Sequence, residues 1–129
     1  MTPLTHDWVQ KAEGDFLVAC LIMRRRKQRV FDAACFHCQQ TVEKYFKARL
    51  IEAGLTFPKT HDLRDLLQLL LPVEPIWKSY EPAVKALTEY AVNFRYPGEN
   101  ATLEETQLAL KHCRSLRAEV RRSLGLKSK

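Results

Sequence analysis

The sequence predicts an all-α fold, an up-and-down four-helix bundle with an additional short helix between its second and fourth segments. Apolar residues recur at three- and four-residue steps through most of the chain, the mark of helices with one buried stripe. Strand-like alternation is nearly absent. Only four glycines and six prolines occur in 129 residues, so long helices can run unbroken.

Five segments follow in order. The first runs from about Asp7 to Arg26, with Thr5 as its expected cap and a stripe of Trp8, Ala12, Phe16, Ala19, Cys20 and Met23. Its end is cationic, which suits the negative end of the helix dipole. The second runs from about Asp32, read as its cap, to Ala53, with Gly54 as the stop. Ala34, Cys35, Cys38, Val42, Tyr45, Phe46 and Leu50 form its apolar face. After the Pro58 turn, Thr60 is the expected cap of a short third helix, Asp62 to Leu71, broken by Pro72 and Pro75. The fourth runs from about Ser79 to Arg95 and stops at Tyr96-Pro97-Gly98. The fifth, Leu103 to Leu124, opens on the capping box Thr102-Leu103-Glu104-Glu105. Long helices with short links pack as antiparallel neighbours.

A chain of this length suits a single domain over residues 1–129. The formal charge of +6 favours an acidic partner, such as RNA, a nucleotide or an acidic protein face. No stretch approaches the roughly 18 apolar residues of a membrane span. Met1 to Gln10 lacks a signal-peptide pattern, so a cytoplasmic location is expected. The four cysteines should there remain thiols. Cys35 and Cys38 form one Cys-x-x-Cys pair with no second pair, so no metal is expected, and no other cofactor. Phosphate-cradling glycine loops, zinc-protease motifs and nucleophile elbows are missing.

Three pieces of the chain resemble one family in order and spacing. Ala33 to Ala48, reading AACFHCQQTVEKYFKA, is similar to the second helix of bacterial HEPN domains. Thr60-His61-Asp62-Leu63 resembles the entry to their third helix. Tyr90-Ala91 with Phe94-Arg95-Tyr96-Pro97-Gly98 resembles the end of their fourth. The resemblance implies a helical bundle, commonly a homodimer, acting as the toxin–antitoxin-like partner of a minimal nucleotidyltransferase. It also implies binding of nucleotide or RNA. Other members are metal-independent ribonucleases that carry an arginine followed four to six residues later by a histidine. Here the positions four to six residues after Arg95 are Glu99, Asn100 and Ala101, and none of His6, His37, His61 or His112 follows an arginine at that distance. The histidine matters because it moves protons near neutral pH. The expectation is therefore a binding module rather than an enzyme. The alternatives are a dimeric, metal-independent endoribonuclease, for which Arg95 and Glu99 are the catalytic candidates, or a nucleotide-binding substrate domain similar to the helical half of aminoglycoside nucleotidyltransferases.

The candidate binding residues are of three kinds. Arg95 carries a planar fork suited to phosphate and stands at a helix end. Tyr90 and Tyr96 offer rings for stacking on a base, and Tyr96 is the expected acceptor if a nucleotidyltransferase modifies the chain. His37, Gln40, Lys44 and Lys47 share a polar face of the second helix, and Arg25 represents the basic run Arg24 to Arg29.

Overall fold

The computed structural model describes residues 1–94 and 96–127. Five α-helices account for most of them: α1 Pro3–Arg24, α2 Phe31–Glu52, α3 Leu63–Leu70, α4 Glu81–Asn93 and α5 Leu103–Ser123. A 3-10 helix, Pro75–Tyr80, leads into α4. Among the described residues there is no strand, and no helix is long and apolar enough to cross a membrane.

Side-chain pairs fix the helix directions. Thr5 meets Glu52, and Glu13 meets Tyr45, so α1 and α2 run antiparallel. Cys35 meets Thr106, and Arg49 meets Ser123, so α2 and α5 run parallel. Trp77, just before α4, stacks on Phe46 at 6.1 Å between ring centres, while Val92 near its end lies by Phe36. Hence α4 runs against α2, and the long helices go up and down in turn.

In a square bundle α2 and α5 would be diagonal and apart. Here α2 packs against α1, α3, α4 and α5. Small side chains permit the approach to α5: Cys35 and Cys38 on α2, and Thr106, Ala109 and Cys113 on α5, are all fully buried. All four cysteines are buried free thiols. The Cys38 thiol is pushed far up by its hydrogen bond with Cys113 and by burial, so it stays protonated. Leu63, Leu66, Leu67 and Leu70 bury the inner edge of α3, as their spacing predicts.

Several helix ends differ from the sequence expectation. Thr2, not Thr5, caps α1, its hydroxyl accepting from the Thr5 amide at 3.1 Å. Thr5 lies buried inside the first turn and donates to Glu52 at 3.0 Å. Val30 precedes α2 with no side-chain cap, and Asp32 instead accepts from the Ala101 amide at 2.7 Å, tying α2 to the start of α5. Asp62, not Thr60, caps α3 through the Arg64 amide at 2.9 Å. Gly54 adopts φ of 71° after α2, the left-handed stop its position predicts. The Thr102–Glu105 capping box of α5 forms as read.

The close α2–α5 contact carries a test. Cys38→Leu adds volume at a fully buried position between α2 and α5, and should destabilise the fold by about 1–3 kcal/mol in urea titrations.

Candidate functional site: a groove between α2, the α3 entry and α4

A groove of about 490 Å³ opens between α2, the turn before α3, and α4. Helical spacing brings Phe36, Gln39 and Gln40 to one wall. Thr88, Ala91 and Val92 of α4 form the opposite wall, and His61, Asp62 and Arg64 close one side. Its wall is amphipathic. Phe36 and Val92 expose 41% and 56% of their surfaces, unusual for large apolar side chains, while amide, imidazole and guanidinium groups stand among them.

The polar side is held from beneath. Glu43 is 3% exposed, yet it is charged and fully partnered. It accepts from Gln39 Nε2 at 3.2 Å, Lys47 Nζ at 3.0 Å and His61 Nδ1 at 3.0 Å. Burial pushes its carboxyl up, but hydrogen bonds from His61, Lys47 and Gln39 outweigh that and hold it below the ordinary 4.5. Gln39 also donates to the His61 carbonyl at 3.0 Å, so the turn is pinned by backbone and by ring. With Nδ1 committed to Glu43, the other ring nitrogen of His61 is the one left for a ligand. Arg64 grips Asp62 through Nε and Nη2 at 3.1 and 2.9 Å. Those bonds hold the Asp62 carboxyl below its usual value.

A second paired cluster crosses the bundle. Glu13 of α1 accepts from Tyr45 Oη at 2.5 Å and from Arg117 at 2.7 and 2.6 Å. The Arg117 guanidinium also lies 4.4 Å over the Phe16 ring. Burial pushes Glu13 up, and Arg117 and Tyr45 bring it back below 4.5. This cluster links α1, α2 and α5, and its work is to join them.

The sequence-chosen residues divide between these places. Gln40 lines the groove. His37 and Lys44, its companions on the helical wheel, both turn to Asp15 of α1, at 2.8 and 2.6 Å. Lys47 is 7% exposed, paired with Glu43 and lying 5.5 Å from the Trp8 ring centre. Tyr90 is half-buried and stacks on Phe94 at 5.6 Å. Tyr96 is 65% exposed in the turn after α4. Glu99 is exposed, its amide donating to the Tyr96 carbonyl at 3.3 Å. Arg25 is exposed and donates to the Lys27 carbonyl and to Gln28 Oε1. Arg95 lies outside the described residues. Among the described residues no group of three or more His, Cys, Asp or Glu side chains is placed to hold a metal ion.

Sequence reasoning missed Phe36, Gln39 and Arg64, and gave His61 and Asp62 only the role of opening the third helix, as a cap and hydrogen-bonded turn, which Asp62 does fill. The one available signal was Phe36, a large apolar residue standing next to His37 on the side away from the Cys35–Cys38 stripe.

The charged clusters predict an acid limit. Both Glu13 and Glu43 are depressed in the folded chain, so their stabilisation is complete above pH 4.5 and is lost as pH falls through the lowered folded values. Glu43→Gln leaves Lys47 buried without its counter-charge and should cost about 3 kcal/mol at neutral pH. The variant should also lose less stability than the wild type below pH 4.5, checked by denaturant titration at a series of pH values.

A model of the HEPN domain matches residues 5–123. No curated protein and no solved structure matches the chain. With a helical bundle in place and the match spanning nearly its whole length, the chain belongs to the HEPN domain family.

Proposed function

We propose that this chain, a single HEPN domain over residues 1–129, is a binding module for a nucleotide or a short single-stranded RNA segment, held in the α2–α3–α4 groove. The observation that carries the reading is the groove's two-sided wall: exposed Phe36 and Val92 stand among His61, Gln40 and Arg64. A base is a flat apolar body with a hydrogen-bonding edge, and the phosphate beside it seeks donors. A volume of about 490 Å³ lies within the range of small-molecule sites. The apolar side chains take the base, the Gln40 amide reads its edge, and His61 with Arg64 meets the phosphate. The basic run Arg24 to Arg29 precedes α2, and Phe36 lies five residues into that helix, on the order of 8 Å along its axis. A longer RNA would continue from the groove onto those cations.

A second reading concerns a partner. Tyr96 is largely exposed, and a nucleotidyltransferase encoded with this chain would find its hydroxyl accessible. The phenol oxygen would displace pyrophosphate from a nucleoside triphosphate, with its proton passing to a base of that enzyme. Mass spectrometry of the chain co-expressed with such an enzyme reads the modification directly.

Groove binding is tested by fluorescence anisotropy with a labelled single-stranded oligoribonucleotide. Arg64→Ala and Phe36→Ala should each weaken binding about tenfold, near 1.4 kcal/mol. Binding should also weaken as salt rises, because phosphate contacts release counterions. Arg95→Ala tests the cation chosen from sequence, and cleavage of the probe by wild type but not by this variant would favour an endoribonuclease. Unchanged affinity in both groove variants would remove the groove from the account.

A further inference from the structure

The groove does not end at Arg64. A second, smaller cavity of about 240 Å³ opens between α3 and α4, and Arg64 lines both. The two cavities are also neighbours along α4. Thr88 belongs to the first and Lys85 to the second, a step of three residues, on the order of 4.5 Å along the helix axis. Helical spacing builds the second cavity from two matching triplets. Arg64, Leu67 and Gln68 share one face of α3, and Glu81, Val84 and Lys85 share one face of α4.

The floor of this cavity is apolar, for Leu67 and Val84 are 1% and 0% exposed. Its rim is polar. Gln68 and Lys85 are exposed, and Glu81 is half-buried one turn before Lys85. Neither Glu81 nor Lys85 makes an ion pair among the described residues. The carboxylate decides what the cavity holds. A second phosphate beside Glu81 would meet a like charge, whereas a flat base finds an apolar floor, one acceptor and one donor. Cytosine and adenine carry an amino group next to a ring nitrogen. The amino group would donate to Glu81, and the ring nitrogen would accept from Lys85. Uracil presents a carbonyl and an N–H at those places, so it meets both side chains the wrong way round.

Arg64 stands where a linking phosphate would pass. Asp62 holds its Nε and Nη2, and its Nη1 makes no hydrogen bond among the described residues. That nitrogen is free to donate to a phosphate joining the occupants of the two cavities.

We propose that the α3–α4 cavity is a second base subsite, so that the ligand of this chain is at least a dinucleotide of a single strand. One base lies in the α2–α3–α4 groove, the linking phosphate lies at Arg64, and an amino-bearing base, cytosine or adenine, lies on Leu67 and Val84 between Glu81 and Lys85. This inference rests on the groove reading and deepens it. It sets the shortest ligand and sends the strand along α4 toward the start of that helix.

Isothermal titration calorimetry of the full chain with CMP, UMP and the dinucleoside monophosphates CpC and UpU decides the matter, since each carries one phosphate. CpC should bind about tenfold more tightly than CMP, the scale of one added base contact, while UpU gains little over UMP. Lys85→Ala should cut the CpC-to-CMP affinity ratio roughly threefold or more, and Lys85→Arg, which keeps a donor, should retain most of it. Glu81→Gln should narrow the difference between CpC and UpU, because an amide can turn either its oxygen or its NH2 toward the base. If CMP binds and CpC binds no more tightly, the second subsite is overturned and the groove stands. Equal gains for CpC and UpU, or a ratio unmoved by Lys85→Ala, would overturn it as well. Absence of binding by all four ligands would remove the groove reading and this inference together.

Discussion

Everything in this fold depends on α2 being enclosed. It packs on four other helices, so buried positions run around most of its circumference instead of along one stripe. A helix enclosed in this way is usually apolar, yet α2 buries Gln39, Thr41, Glu43 and Lys47. The constraint is severe, since a buried charge left unpaired costs several kcal/mol. Each charge is met. Glu43 collects Lys47, Gln39 and His61, and no buried side-chain polar atom among the described residues lacks a partner. These bonds reach from α2 to the turn before α3, and so convert a requirement of burial into the fixed geometry of one groove wall.

The same logic separates structural charge from available charge. Glu13, Tyr45 and Arg117 satisfy one another where three helices meet, and bind α1 and α5 to α2. Arg49 does so at the other end, reaching Ser123 and Glu74. What remains exposed is the basic run after α1, the His61–Arg64 edge and the Tyr96 turn. The net charge of +6 thus understates how selectively cations are placed, because many are already spent inside.

Local chemistry was legible in the sequence, and long-range chemistry was not. The α5 capping box and the Gly54 stop could be read because all their atoms lie within a turn of each other. The α1 cap could not, since Thr5 was expected there and Glu52, far along the chain, places Thr5 inside and leaves the cap to Thr2. Lys47 reads as a solvated lysine on a helical wheel. Its partner Glu43 stands one turn earlier on the same helix, but only the fold brings Trp8 and Phe57 over the pair. The 3-10 helix from Pro75 was hidden because Pro75, with Pro72 before it, read as a break. The groove was hidden for the same reason as Lys47: its walls come from α2, α4 and a turn, and no short motif contains them. The family resemblance was legible because it rests on local strings, and those strings include His61 and Asp62.

The groove edge rests on Glu43, held ionised within the surface of α2 and bonded to the His61 ring. Long-range nitrogen–proton correlation NMR of the imidazole reads that link directly. The neutral ring should carry its proton on Nδ1 and leave the other nitrogen free, and Glu43→Gln should abolish this preference. A ring protonated mainly on the other nitrogen in the wild type, or one that does not respond to Glu43→Gln, would contradict it.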